Sequence, residues 1–178
     1  EGVSLDAIRN LDVSNMSAHW ERTRRFIDLI APYFTETLLN AEGQRRLAAK
    51  RLTTLWAETP LTHPIIVAGS TGSRGATSLF MQAVAKLPQG AVILPGFDFD
   101  QPDAVWDALD DALTAEDHPQ YRFHSFHQAL GITPRDVQLW AEVDLGSVSP
   151  RNALVSLALR PAPVTDQWLD SGPDLTNL

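Results

Sequence analysis

One stretch of the sequence has the residue types and spacing of a phosphate-binding loop. Residues 68–77 read AGSTGSRGAT and lie between an apolar run and a segment of helical periodicity. Backbone amides at a helix N-terminus attract anions, and small residues allow a close approach. Ala76 follows Gly75 where a Walker A loop requires lysine, and Gly69 and Gly72 lack the spacing of a dinucleotide fingerprint. The stretch therefore predicts either a contact with phosphate or nucleic acid, or a turn that only caps the helix.

The same loop is close to the Gly-x-Ser-x-Gly nucleophile elbow and has the strand–turn–helix context of that motif. In this alternative, Ser70 is the nucleophile and Asp98 is the acid at a strand end. One of three histidines would be the base, which gives the chain order of that hydrolase class: His118, His124 and His127. The sequence shows two strands where that fold needs several more, which disfavours the hydrolase.

The histidines could instead belong to a metal site, because His124 and His127 are one helical turn apart. Such a site would need a carboxylate such as Asp117, since the chain has no cysteine. The neighbouring Phe123 and Phe126 favour another interpretation, in which the phenylalanines pack inward and the histidines lie at the surface. No metal is therefore expected. The lack of cysteine also excludes disulfides, thiolate zinc and iron–sulfur ligation within this chain.

The composition is that of a globular protein with one domain. The chain has 178 residues, of which 44% are hydrophobic and 20% are charged. It has no apolar run near the ~18 residues that a membrane span requires, and no secretory signal pattern. We therefore expect a cytoplasmic protein with no membrane partner. The start at Glu1, without methionine, indicates a piece of a longer reading frame.

The negative charge is concentrated in one segment. Residues 98–117 hold eight acidic residues and no basic one, while the rest of the chain has 14 of each, so this segment accounts for the net charge of −8. An acidic chain does not by itself attract DNA. The acids are typical of helix capping and a solvated face. Basic residues are instead frequent in the predicted N-terminal helices: Arg22, Arg24, Arg25, Arg45, Arg46, Lys50 and Arg51.

Apolar spacing predicts a helical region over residues 14–58. Its first helix begins at Ser14, and Trp20, Phe26, Ile27 and Ile30 recur along it at helical spacing. A short helical stretch at Leu38 and Leu39 follows, and residues 40–43 are expected to break it. A third helix covers residues 42–58 and turns its large apolar residues inward: Leu47, Leu52, Leu55 and Trp56.

The pattern then changes to two apolar runs, over residues 65–68 and 91–94, joined by a helix over 76–86. Continuous apolar strands in this order predict a parallel pair. Further helices are expected downstream: from residue 100 with Trp106 and Leu109 inward, over 118–130, over 133–140 and over 151–159, before a loose tail after Gly172. The predicted fold class is α/β, with a helical subdomain (1–62) followed by a partial parallel α/β layer (63–178).

Several blocks of the sequence resemble the AddB family of double-strand break repair subunits, in its alphaproteobacterial type. The two central blocks are residues 64–73 (PIIVAGSTGS) and 87–98 (LPQGAVILPGFD). Other matches follow the same order along nearly the whole chain: His19-Trp20, Trp56, His118-Pro119-Gln120, residues 157–161 (LALRP), Thr165 and Trp168. The central blocks are fairly specific, whereas the flanking helices are generic.

The resemblance implies a function. AddB pairs with AddA, and together they unwind broken duplex ends with ATP and cut the strands for recombinational repair. This chain would be an internal piece of the P-loop helicase-like portion, with no cofactor of its own; the ATP, magnesium and iron–sulfur cluster of the family would lie outside it. The expected DNA contacts are on the loop first and on the third helix second: Ser70, Thr71, Ser73 and Arg74, then Arg45, Arg46 and Lys50.

The resemblance also implies that the fragment is not catalytic. In active helicases of this fold, the strand before such a helix ends in an acidic pair that holds magnesium. Here residues 68–71 read AGST, without a carboxylate, which is typical of a scaffold that has lost ATP hydrolysis. Two alternatives stay open: a protein-interaction module whose acidic segment (98–117) faces a partner without DNA contact, and the Ser70 hydrolase.

Overall fold

A computed structural model of the chain describes residues 5–12, 18–33, 40–72, 75–140 and 150–175. These ranges are mostly helical and include two strands, β1 (Ile65–Ala68) and β2 (Gly90–Ile93). The α-helices are α1 (Leu5–Arg9), α2 (Ala18–Ile30), α3 (Ala41–Glu58), α4 (Gly75–Ala85), α5 (Asp103–Asp107), α6 (Ala112–Ala115), α7 (Tyr121–Leu130), α8 (Pro150–Ala158) and α9 (Gln167–Ser171). Short 3-10 turns lie at Ala31–Tyr33, Ala108–Asp110, Pro134–Asp136, Ala162–Val164 and Pro173–Leu175.

The chain divides into two compact units. The first, the helical unit, comprises the described parts of Glu1–Pro60 and Arg74–Ala83. The second, the sheet unit, comprises the described parts of Leu61–Ser73 and Val84–Leu178. No helix among the described residues is both long enough and apolar enough to cross a membrane.

The two strands pair in parallel, as the sequence predicts. Ile65 lies opposite Gly90 and Ala68 lies opposite Ile93, so β2 begins one residue earlier than predicted. The ladder is extended by the Ile65 amide, which donates to the carbonyl of Gln89 at 3.1 Å. The prediction of fully buried strands was wrong for β1, because its side chains alternate and that of Ile66 is 54% exposed. The chain is thus an α/β protein with a two-stranded parallel sheet.

The core of the sheet unit is built from the segments that follow β2. Trp106, Leu109, Ala115 and Phe123 form a buried cluster, against which Phe97 packs. The rings of Phe97 and Trp106 stack with their centroids 5.4 Å apart. The predicted inward positions of Trp106, Leu109, Phe123 and Phe126 are confirmed. This cluster fixes the position of the chain where it leaves the carboxyl end of β2.

The helical unit departs from the predicted apolar pattern. The helix predicted from the spacing of Trp20 and Phe26 is present as α2, but none of its residues is buried and these two side chains are 52% and 59% exposed. Leu55 on α3 is also exposed. Asn40, in the segment predicted to end the preceding helical stretch, is the N-cap of α3, because its side chain accepts from the Gly43 amide at 2.8 Å. The predictions at Ser14, Leu38 and Leu39 fall outside the described residues.

Two predictions in the C-terminal half were also wrong. The helix expected over residues 133–140 is one 3-10 turn, Pro134–Asp136, closed by a capping box in which the Asp136 carboxylate accepts from the Thr133 amide at 2.7 Å. The tail after Gly172 continues as the 3-10 turn Pro173–Leu175. The predicted helix at residues 151–159 is confirmed as α8.

Two glycines of the sheet unit allow a matched test of this packing. A Cβ atom at Gly90 would lie 1.8 Å from the carbonyl oxygen of Val84, whereas a Cβ at Gly131, with φ +69°, would meet open space. We expect Gly131→Ala to cost about 1–2 kcal/mol from backbone strain alone. Gly90→Ala should cost more than ~4 kcal/mol, because backbone must move. Urea denaturation of both variants measures the difference in the free energy of unfolding. Equal losses of stability would contradict the close approach of Gly90 to the Val84 carbonyl in the turn between α4 and β2.

Candidate functional site

The sheet unit contains a cavity of about 850 Å³ beyond the carboxyl end of β2. Its wall is formed by residues 96–101 after β2, by residues 118–120 before α7, by one face of α8 and by residues near the C-terminal 3-10 turn. Ligands of parallel α/β proteins bind outside the carboxyl ends of the strands. The cavity is also within the usual size range of small-molecule sites, so we describe it as the candidate site.

Gln120 holds one wall of this cavity in place. Its buried side-chain amide donates to the Gly96 carbonyl at 2.9 Å, and its carbonyl oxygen accepts from the Asp98 amide at 3.2 Å. These two bonds fix the chain after β2 against the turn that precedes α7. Gly96 has a φ of +71°, a conformation that favours glycine. The segment therefore presents Asp98 at a defined position on the cavity wall.

A chain of hydrogen bonds connects Asp98 to α8. Ser156 Oγ donates to Asp98 Oδ2 at 2.7 Å, and Arg160 Nη1 donates to Ser156 Oγ at 3.0 Å and to the Ser156 carbonyl at 3.0 Å. Arg160 Nε donates to Gln167 Oε1 at 2.8 Å. Burial lowers the pKa of Arg160, and the negative charge of Asp98 opposes that effect. The result is a half-buried guanidinium whose hydrogen-bond partners are neutral groups.

His118 lies on the same wall as a neutral imidazole. Burial lowers its pKa first, the positive charge of Arg160 lowers it further, and Asp98 acts in the opposite direction. Its Nδ1 accepts from the Gln120 amide at 3.1 Å. Because an accepting ring nitrogen of a neutral imidazole has no proton, the N–H is on Nε2. His118 therefore offers a hydrogen-bond donor.

The other two candidate histidines have different surroundings. His124 Nε2 lies 2.6 Å from Asp110 Oδ1, which also accepts from the Gln128 side chain at 2.6 Å. His127 is 2% exposed, packs against Phe97 and Trp106, and has no hydrogen-bond partner on either ring nitrogen. The prediction of a surface position was therefore wrong for His127. The described residues contain no group of three or more metal-ligating side chains.

The predicted loop residues are described in part. Ser70 is half-buried and its Oγ accepts from the Gly72 amide at 3.2 Å, while Thr71 is exposed. Gly69 and Gly72 have φ values of +78° and +68°, which favour glycine. Ser73 and Arg74 fall outside the described residues. Ser70 thus stabilises a tight turn directly after β1, before α4 begins at Gly75.

The predicted basic residues lie on α3, in the helical unit. Arg45 is exposed and pairs with Glu42 at 3.4 Å. Arg46 and Lys50 are four residues apart and so share one face of the helix, with Lys50 exposed. A surface ion pair such as Arg45–Glu42 contributes little stability. These side chains can therefore reorganise around a phosphate at low cost.

The hydrolase constellation is not assembled. Asp98 bonds Ser156 rather than any candidate base, and Ser70 Oγ bonds the Gly72 amide. His118 bonds the Gln120 amide, and His124 pairs with Asp110. Among the described contacts, no histidine bonds Ser70 and none bonds Asp98, so the predicted Ser70–His–Asp98 triad is not formed.

Sequence reasoning missed the polar groups of the cavity apart from Asp98 and His118. Ser156 and Arg160 are 58 and 62 residues beyond Asp98 in the chain and match no catalytic or binding motif. A signal was available in Gln120, since an amide in the first turn of the helix predicted over residues 118–130 can pair with a backbone segment. Comparisons of the chain with protein-family models, with curated proteins and with solved structures found no match in any of the three.

The burial of His127 predicts a pH dependence of stability. Burial is the main cause that lowers its pKa from 6.5 to about 4. Between these values the unfolded chain binds a proton that the folded chain does not, so stability is lost as the pH falls from 6.5 to about 4. Each pH unit in this window should cost about 1.4 kcal/mol.

The variant His127→Phe should remove this slope while keeping an aromatic ring in the cluster. The measurement is the free energy of unfolding in urea for both proteins across the window. The difference between them isolates His127 from the carboxylates that titrate in the same range. A parallel pH dependence of the two proteins would show that His127 is not buried as a neutral ring.

Proposed function

We propose that this chain is a non-catalytic, helicase-like part of an AddB-type subunit and handles a DNA strand at the loop after β1. In this role it works in the cytoplasm, within a complex with AddA. The complex resects double-strand breaks for recombinational repair. The ATP-driven steps belong to other parts of that assembly.

One observation carries the proposal. The two sequence blocks that resemble AddB most specifically, residues 64–73 and 87–98, contain the two strands of the sheet. These strands are adjacent and parallel, with Ile65 opposite Gly90. The loop that follows each strand therefore leaves the same edge of the sheet. This arrangement supports a fragment of a parallel α/β layer, which the helicase-like portion of AddB requires.

The residues that follow β1 do not fit the magnesium and ATP site of an active helicase. The end of β1 and its loop, residues 68–72, provide small side chains and hydroxyls but no carboxylate to hold the metal. The chain also has no cysteine to ligate an iron–sulfur cluster. No reaction step is therefore assigned to either group here, and the proposed role is strand binding.

The loop offers the groups that a phosphate backbone contacts. Thr71 is exposed after a turn stabilised by Ser70, and Ser73 and Arg74 follow before the first turn of α4. Hydroxyls, backbone amides and an arginine are the usual phosphate partners in protein–DNA complexes. Arg45, Arg46 and Lys50 would add sequence-independent attraction.

The protein-only alternative has less support from the contacts. Several acids of residues 98–117 already have partners within the sheet unit. Asp103 pairs with Arg135, Glu116 with Arg122, and Asp110 with His124. Asp98 accepts from Ser156. These contacts offset part of the negative charge of the segment, although the side chains of Asp103, Glu116 and Asp110 remain 64%, 60% and 65% exposed.

A double substitution in the loop tests DNA binding. We expect Ser73→Ala with Arg74→Ala to weaken the affinity of the chain for a fluorescein-labelled single strand. The slope of log affinity against log salt should fall in magnitude by about one, because one phosphate contact is lost. Fluorescence anisotropy over salt concentrations from ~50 to ~200 mM measures both quantities.

Arg122→Ala is the matched control, because it removes one arginine that pairs with Glu116 and lies outside the predicted contacts. It should leave the salt slope close to that of the wild type. The proposal fails if the wild-type chain does not bind the strand. It also fails if the double variant binds as the control does.

A further inference from the structure

Arg160 is the only half-buried cation of the cavity in the part of the chain that the structure describes, and it has no carboxylate partner. Its Nε and Nη1 donate to Gln167 and to the carbonyl and hydroxyl of Ser156, which are all neutral. Among the described residues, Arg160 forms no ion pair and its Nη2 has no hydrogen-bond acceptor. Buried charges in proteins are normally paired. The guanidinium therefore has a free edge at which an anion would be stabilised.

The nearest acid does not meet this need. Asp98 Oδ1 accepts from the Asp100 amide at 3.1 Å, and Asp98 Oδ2 accepts from Ser156 Oγ at 2.7 Å. Ser156 therefore separates the two charges as a hydrogen-bonded bridge. A bond from Arg160 to a carboxylate would join two opposite charges and would be stronger than its present bonds to neutral acceptors. Arg160 lines the cavity, so a ligand bound there can supply that carboxylate.

Other lining groups strengthen this donor character. His118 presents an Nε2 N–H, Arg151 lies at an exposed position, and the buried side chain of Gln101 has no partner for its Nε2. The remainder of the lining is largely apolar and includes Phe97, Phe99 and Leu159. The cavity therefore combines one cationic end with a surface suited to a ring or an aliphatic chain.

We propose that this cavity binds a small organic molecule with a single carboxylate on an apolar body. The carboxylate accepts from the Arg160 guanidinium, and the body lies against Phe97 and Phe99. A monoanion is favoured over a phosphate dianion, because Asp98, Asp100 and Asp174 line the same cavity as the two arginines. This site is independent of the proposed DNA contact, which involves other residues.

The test uses phenylacetate as the probe and uncharged phenylacetamide as its matched control, each titrated into the full chain by isothermal titration calorimetry. Phenylacetate should bind at least about tenfold more tightly, because the amide lacks the charge that Arg160 recognises. Phenyl phosphate should bind more weakly than phenylacetate. Equal binding of acid and amide, tighter binding of the phosphate, or no binding of phenylacetate would each overturn the proposal.

Two variants locate the site. Arg160→Gln should reduce phenylacetate affinity at least about tenfold, and Arg122→Gln, outside the cavity, should not. Because Arg160 also bonds Ser156 and Gln167, a second variant avoids these bonds: Val155→Trp, at a half-exposed position of α8 that lines the cavity. Its indole should fill the space and reduce affinity without loss of thermal stability. Wild-type affinity in either stably folded cavity variant would overturn the assignment.

Discussion

The two hydrogen bonds of the Gln120 side chain are the constraint on which the sheet unit depends. They attach the chain after β2 to the turn before α7, across more than 20 residues of sequence. Gly96 and Asp98 are thereby fixed, and Phe97 between them packs into the aromatic cluster. A buried amide without its partners is costly. The same two bonds therefore stabilise the core and shape the cavity wall.

The loops after β1 and β2 leave the same edge of the sheet but carry different chemical groups. After β1 the chain forms a small, glycine-dependent turn with hydroxyls and no carboxylate. After β2 it forms a rigid wall that contributes Asp98 to a network with Ser156 and Arg160. The first loop is the proposed contact with a phosphate backbone, whereas the second lines the cavity proposed for a smaller molecule. Because they use different residues, each can be tested without the other.

Local sequence patterns predicted the parts of the fold that local physics determines. The apolar runs around Ile65 and Val92 predicted the parallel strands, and the spacing of Trp106, Leu109 and Phe123 predicted the core. On α2 the helical spacing of Trp20 and Phe26 predicted the helix, but both side chains remain exposed. Periodicity indicates an apolar face and does not specify what covers it.

The sequence predicted less of the candidate cavity than of the fold. Asp98 was identifiable as an acid after a strand, but its partner Ser156 comes from α8 and has no distinguishing sequence context. His127 was misassigned to the surface because a histidine beside Phe126 fits either side of a helix equally well. Long-range hydrogen bonds leave no trace in spacing, so only the tertiary structure brings Asp98, Ser156 and Arg160 together.

The coding sequence on both sides of these 178 codons tests the proposed assignment most directly. An AddB-type parent predicts one continuous frame of several hundred codons beyond Leu178. That frame should end in a nuclease set of carboxylates and lysine flanked by the cysteines of an iron–sulfur cluster. A stop codon soon after Leu178 would contradict the assignment and would identify the chain as a separate protein.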